Sequence, residues 1–271
     1  MVKSLLPYEM SYDYSYSQVP CESFGSSLVV ASILSILVLL FLAWNRREKW
    51  PLFTFGILYF FINIILYSNT VMLIGATMAD RFVYSASLGI LIAVVFLIFR
   101  MVDSQESTTK GKFAFLILLP VMALYGWKTI DRNKVWKDDT TLFLHDVNVS
   151  RGSARTHFNA GTVLMDAAGQ ASDTTRYRLY SQSIEQFKQA VSIDPNDAGS
   201  YNNMGVAYFR IKDFRNSIPA TRRAMELKPT DASLNGNLAD AYFMSEQLDS
   251  AIVYYKQCIQ KNVVKIGRAH V

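Results

Sequence analysis

Hydrophobic positions follow two regimes along this chain. From residue 26 to about 130 they run in long blocks, and from 131 to 260 they are interspersed with polar residues as in water-facing helices. A helix needs about 20 mostly apolar residues to cross a bilayer. Four blocks approach that length, at 26–44, 51–67, 82–99 and 113–130. In the first, SSLVVASILSILVLLFLAW, twelve residues are Leu, Ile, Val or Phe. At about −0.3 to −0.6 kcal/mol each near the bilayer centre, they favour insertion by several kcal/mol. Lys128 near the end of the fourth block is long enough to reach the interface. The first block does not read as a cleaved signal. The stretch before it carries Asp13 and Glu22, and NRREKW follows it rather than a small-residue cleavage site.

The short loops give an orientation. Arg46, Arg47 and Lys49 lie between the first and second blocks, and Arg100, Lys110 and Lys112 between the third and fourth. Only Arg81 lies between the second and third. Positive loops stay on the cytoplasmic side. The N-terminus, the Asp80–Arg81 loop and everything after the fourth block are therefore expected on the periplasmic, extracellular or ER-lumenal side. Asn148, in Asn148-Val149-Ser150, is a weak glycosylation candidate on that side.

Residues 198–258 repeat with a period of 34. Tyr201, Met204, Gly205 and Tyr208 recur as Asn235, Leu238, Ala239 and Tyr242, and Ser217 and Ala224 recur as Ala251 and Cys258. Pro229 closes the first of these units. This is the tetratricopeptide (TPR) pattern of two antiparallel helices per unit, with small residues where helices touch. IDPND and LKPTD mark the turns between units. An earlier copy has Gly161 and Leu164 on its first helix and Ser183, Phe187, Ala190 and Pro195 on its second. It is ten residues longer, through an inserted turn or an extended second helix. The expected layout is a membrane region at 1–130, a connector at 131–153, TPR units at 154–197, 198–231 and 232–262 (the last incomplete), and a non-native tail at 263–271. IGRAHV in that tail resembles a translated sequencing adapter. The expected fold class is all-α, four transmembrane helices followed by a TPR α-solenoid.

Composition narrows the function. The net charge of +5 forms no basic stripe with interleaved aromatics, which argues against nucleic acid. Cys21 and Cys258 support neither a disulfide framework nor a metal site, and no metal is expected. No Gly-rich phosphate loop or Gly-x-Ser-x-Gly elbow is present. His145, His157 and His270 are scattered, and His157 occupies a packing position of the first unit. The first helices of the units should line a groove offering Arg155, Phe158, Thr162, Asn202, Val206, Phe209, Arg210, Asp240 and Phe243. These either hold a peptide or helix of a partner protein or simply face solvent. Asp80 and Arg81 stand at the mouth of the third block, beside Tyr84. A charge at the bilayer centre costs about 2.5 kcal/mol or more, so the pair belongs at the outer interface or in a cavity. It anchors the block as an ion pair, or Arg81 grips a lipid phosphate in two-pronged fashion while Asp80 orients it. Tyr12, Tyr14 and Tyr16 suit an interfacial aromatic belt.

The order of these parts resembles the C-terminal half of the transmembrane-and-TPR O-mannosyltransferase family and its bacterial relatives. The family's motif reads Met-Ala-Glu-Arg-Tyr-Leu-Tyr-Leu-Pro-Ser-Leu-Gly. Met78, Ala79, Arg81, Tyr84, Ser87, Leu88 and Gly89 match it, Asp80 and Phe82 replace Glu and Tyr, and Ala86 stands where Pro is usual. The stretch from Asp13 to Tyr16 matches as well. The resemblance implies a protein O-glycosyltransferase that uses a polyprenyl- or dolichyl-phosphate sugar donor, with outward TPRs binding acceptor or partner protein. The family's catalytic acid lies in an N-terminal half that this chain lacks. The chain is therefore expected to be a C-terminal fragment, inactive alone. The alternative is a membrane-anchored TPR scaffold with no chemistry.

Overall fold

Local sequence sets where each helix begins and ends. The computed structural model of the chain describes residues 11, 22–67, 80–102 and 107–269, and excludes the side chains at 67, 80–83, 101–102, 107–114, 117 and 261–269. The Asp13–Tyr16 stretch, Cys21, Met78 and Ala79 lie outside the described residues. The described residues are helical and divide into two compact units, Met1–Val149 and Ser150–Val271.

The first unit contains α1 (Ser27–Arg46), α2 (Pro51–Tyr67), α3 (Asp80–Val102), α4 (Ser107–Val135) and α5 (Asp139–Val149). Ser26 caps α1, its hydroxyl accepting from the Val29 N–H at 3.5 Å. At the other end Arg47 stacks over Trp44 at 4.6 Å and Arg46 over Trp50 at 5.1 Å. Pro51 opens α2 at the first helical position, where its missing N–H is not needed. Helices α2 and α3 pack backbone to backbone. A Cβ on Gly56 would sit 2.5 Å from the Gly89 carbonyl oxygen and 3.0 Å from the Ala93 nitrogen. Small residues permit this approach, as in helix pairs within lipid. Around the contact lie buried Phe53, Ile57, Phe60, Ala86, Ile90 and Ala93, joined by Ala43 of α1. The opposite faces are bare, with Leu28, Leu34, Leu37, Phe41 and Trp44 of α1 all exposed. Among the described residues, α1 is the one helix long and apolar enough to cross a membrane; the shorter apolar helices are Pro51–Leu66 and Tyr84–Arg100.

The second unit is three helical hairpins: α6 (Ala154–Gln170) with α7 (Asp173–Ile193), α8 (Ala198–Arg210) with α9 (Phe214–Leu227), and α10 (Ala232–Met244) with α11 (Leu248–Ala269). Asp197, Asp213 and Asp231 cap α8, α9 and α10 by accepting first-turn N–H groups. Within hairpins the surplus of the first unit is spread over both helices. Helix α6 has 17 residues and α7 has 21, against 13 and 14 in α8 and α9. The glycines sit at helix crossings. A Cβ on Gly161 would fall 2.7 Å from the Phe187 ring, and one on Gly205 would collide with the Thr221 hydroxyl. Ser217 holds the same crossing by donating to the Gly205 carbonyl at 2.8 Å. The core runs through Ala168, Tyr180, Ile184, Phe187, Met204 and Ala207, and continues at Leu238, Tyr242 and Ala251.

Candidate functional site

The first helices of successive hairpins touch along one side of the stack, α6 on α8 and α8 on α10. Asn237 of α10 donates to the Asn202 side-chain oxygen of α8 at 2.9 Å, and Asn202 donates to Asn203 at 3.4 Å. This puts a row of carboxamides across two units. Around it the groove residues divide. Arg155, Arg210, Asp240 and Phe243 are exposed, while Asn202, Val206, Phe158, Thr162 and Phe209 are half-buried. Phe158 packs 6.1 Å from Phe187 and belongs to the core, and Phe209 packs 5.5 Å from Phe214. Thr162 returns its hydroxyl to the Phe158 carbonyl at 2.9 Å. Asp240 accepts the Tyr255 hydroxyl at 2.6 Å, and that bond pushes the phenol up to about 12. The exposed groups on this face are thus two arginines, Asp240 and Phe243, with the amides of Asn202 and Asn237 half-buried among them.

Asn237 and Tyr255 were not legible from the repeat. The period-mate of Asn202 is Gly236, so the partner amide stands one residue off register. The mates of Tyr255 are Thr221 and Phe187, neither of which announces a bond to a carboxylate.

A second polar cluster lies in the first unit. Asp146 on α5 is buried to 1% exposure and takes both nitrogens of Arg132 from α4, at 3.0 and 3.2 Å. His145 Nδ1 lies 2.8 Å from the same carboxylate, and the Arg132 guanidinium stacks 5.9 Å from the Trp136 ring. A buried carboxylate held this way fixes α5 against the end of α4, and removing Arg132 would leave it buried with its main partner gone. Asn148, on α5, is exposed and donates to the Leu144 carbonyl at 2.9 Å. His157 in the second unit is buried, with its ring nitrogens 2.8 Å from Gln186 and 2.9 Å from the Arg151 carbonyl, as a packing residue would be. Asp80 and Arg81 open α3, with their side chains outside the description, and Tyr84 is 83% exposed one turn on. Among the described residues, no three His, Cys, Asp or Glu side chains converge as metal ligands do.

The tetratricopeptide repeat family's model matches residues 198–231 and 232–260, and a further TPR repeat model matches 180–212. Among curated proteins, the protein O-mannosyl-transferase TMTC1 of Homo sapiens is 24% identical over 211 residues, covering 74% of this chain and 22% of that protein. TMTC3 of Homo sapiens is 26% identical over 144 residues, covering 52% and 14%, and TMTC4 of Mus musculus is 26% identical over 180 residues, covering 64% and 24%. The chain is a TMTC-like TPR protein. It spans about a fifth of the length of these TMTC relatives. A solved structure of the MamA protein is also similar, at 17% identity and a TM-score of 0.42 over 64% of this TMTC-like chain and 94% of MamA.

Proposed function

We propose that this TMTC-like chain is the C-terminal part of a polytopic membrane protein that transfers sugar from a polyprenyl- or dolichyl-phosphate donor to protein hydroxyls, and that its repeats bind the acceptor or a partner protein. The amide row of Asn202 and Asn237 carries the binding half of this reading. A carboxamide offers the same donor and acceptor pair as a peptide bond, so a row of them suits an extended chain regardless of its side chains. The exposed ring of Phe243, on the same helix as Asn237, adds an apolar surface. The donor half rests on the TMTC relatives' names and on Arg81 at the start of α3, where a guanidinium and a helix N-terminus both favour a phosphate. The bare apolar faces of α1 support a bilayer around the first unit. We place four spans at 26–44, 51–67, 82–99 and 113–130, with the repeats outside the cytoplasm.

The test uses the full-length protein. Replacing Arg81 with Ala is expected to abolish transfer with folding and membrane insertion intact. Replacing Asn202 and Asn237 together with Ala is expected to raise the acceptor KM about tenfold with kcat nearly unchanged, since two neutral hydrogen bonds are lost. Transfer unchanged by both sets would favour the non-enzymatic scaffold.

A further inference from the structure

Asn148-Val149-Ser150 is the one Asn-x-Ser/Thr triplet in the 271 residues. On the topology proposed above it lies on the non-cytoplasmic side, after the fourth span. Helix α4 carries the chain on to Val135, and α5 starts afresh at Asp139, which sets the triplet clear of the bilayer. The two ends of the triplet have opposite surroundings. Asn148 is exposed, on the face of α5 turned away from buried Leu142 and Asp146. Ser150 is 0% exposed, and among the described residues its hydroxyl has no hydrogen-bond partner. The turn that hides it is closed by residues further along the chain. The Ser150 carbonyl accepts the Ser153 N–H at 3.0 Å and the Thr156 hydroxyl at 2.9 Å. The Asn148 amide is itself tied back to the Leu144 carbonyl at 2.9 Å.

The folded chain thus shows a transferase the amide and withholds the hydroxyl that the acceptor motif requires. The growing chain offers both. Helix α5 has 11 residues, fewer than the ~12–15 at which an isolated helix becomes even marginal, so it stays uncoiled until it can pack. We propose that Asn148 carries an N-linked glycan, added during synthesis before α5 coils and Ser150 is buried. The donor is an oligosaccharide on a lipid diphosphate, and a separate transferase of the compartment uses it. A bond forms between Asn148 Nδ2 and C1 of the first sugar. The C1–O bond to the diphosphate breaks, the lipid diphosphate leaves with the electron pair, and one amide proton passes to the transferase. The finished glycan points outward from α5 and leaves the two bonds from Arg132 to Asp146 in place. This inference rests on the proposed topology and is independent of sugar transfer by the protein itself.

The test synthesises the whole chain in the presence of sealed ER microsomes and follows its mobility on a gel. One upward step is expected, reversed by a glycosidase that cleaves the sugar–asparagine bond. Asn148→Gln and Ser150→Ala should each abolish the step. Ser150→Thr should keep it whatever it does to packing, because threonine also serves the motif and transfer comes before folding. In a pulse-chase experiment the shifted fraction should be fixed during synthesis and should not grow afterwards. A parallel sample carries Arg178→Cys in a cysteine-free background and is treated with an impermeant thiol reagent. Labelling only after the microsomes are opened places the repeats in the lumen, and absence of the step then overturns the glycan while the topology stands. Labelling in sealed microsomes overturns both. A step that survives Asn148→Gln, or a shifted fraction that grows through the chase, also overturns the proposal.

Discussion

Gly205 and Gly169 differ only in what stands beside them. Gly205 faces the Thr221 hydroxyl and backbone across a helix crossing, whereas a Cβ on Gly169 meets nothing within 4 Å. Gly205→Ala is therefore expected to destabilise the repeat unit by about 1–3 kcal/mol through overpacking. Gly169→Ala should stabilise it by about 0.5–1 kcal/mol through helix propensity alone. Denaturant unfolding followed by circular dichroism measures both. The repeat spacing picked out Gly205 correctly, because a small residue at that phase is what two crossing helices require. Tyr255 illustrates the opposite case. Its bond to Asp240 raises its pKa to about 12 from the ordinary 10.0 of a tyrosine. The folded form thus favours the protonated phenol, and this stabilisation is full below about pH 10 and lost as pH rises through about 12. Tyr255→Phe should remove that segment of the alkaline unfolding profile and leave the profile below it parallel. The sequence held both residues, but only folding brought a second helix's phenol onto a first helix's carboxylate.

At the scale of elements, the second and third hairpins each turn through one residue in the left-handed region, Lys212 at φ 63° and Glu246 at φ 63°. These positions are 34 apart and end the first helix of their hairpins. A non-glycine residue there costs about 1–2 kcal/mol, against about 0.5–1 kcal/mol for the extra chain entropy glycine must lose. Lys212→Gly should accordingly stabilise the unit by about 0.5–1 kcal/mol, and Lys212→Val should destabilise it, both read as shifts in denaturation midpoint at constant slope. Helix starts were readable from Asp in the turns, and helix ends from Pro one residue past the cap. The length of the first hairpin was not. Its ten surplus residues could enter a turn or a helix by sequence, and they extend both helices because each added turn finds apolar partners: Tyr180 and Ile184 on α7, Ala168 on α6.

At the scale of the molecule, the first unit turns large apolar side chains outward along α1, from Leu28 to Trp44. Water does not tolerate a patch of that extent, and basic residues stacked on tryptophans at its end suit a headgroup layer. The proposed topology makes a direct prediction. In a cysteine-free background with the chain in intact cells or sealed vesicles, Arg178→Cys is expected to react with an impermeant thiol reagent from the non-cytoplasmic side, while Lys49→Cys is protected until the membrane is opened. The reverse pattern would place the repeats in the cytoplasm and remove any role in binding acceptors beside a lipid-linked donor.

By itself the sequence determined the all-α class, the division between block-wise and periodic hydrophobicity, and the 34-residue register, because each depends on spacing along one chain. Tertiary structure decided which amides align across units and which carboxylate Arg132 pairs with. Those outcomes depend on distances between segments far apart in sequence, and the register of one helix does not fix the rotation of another against it until both are packed.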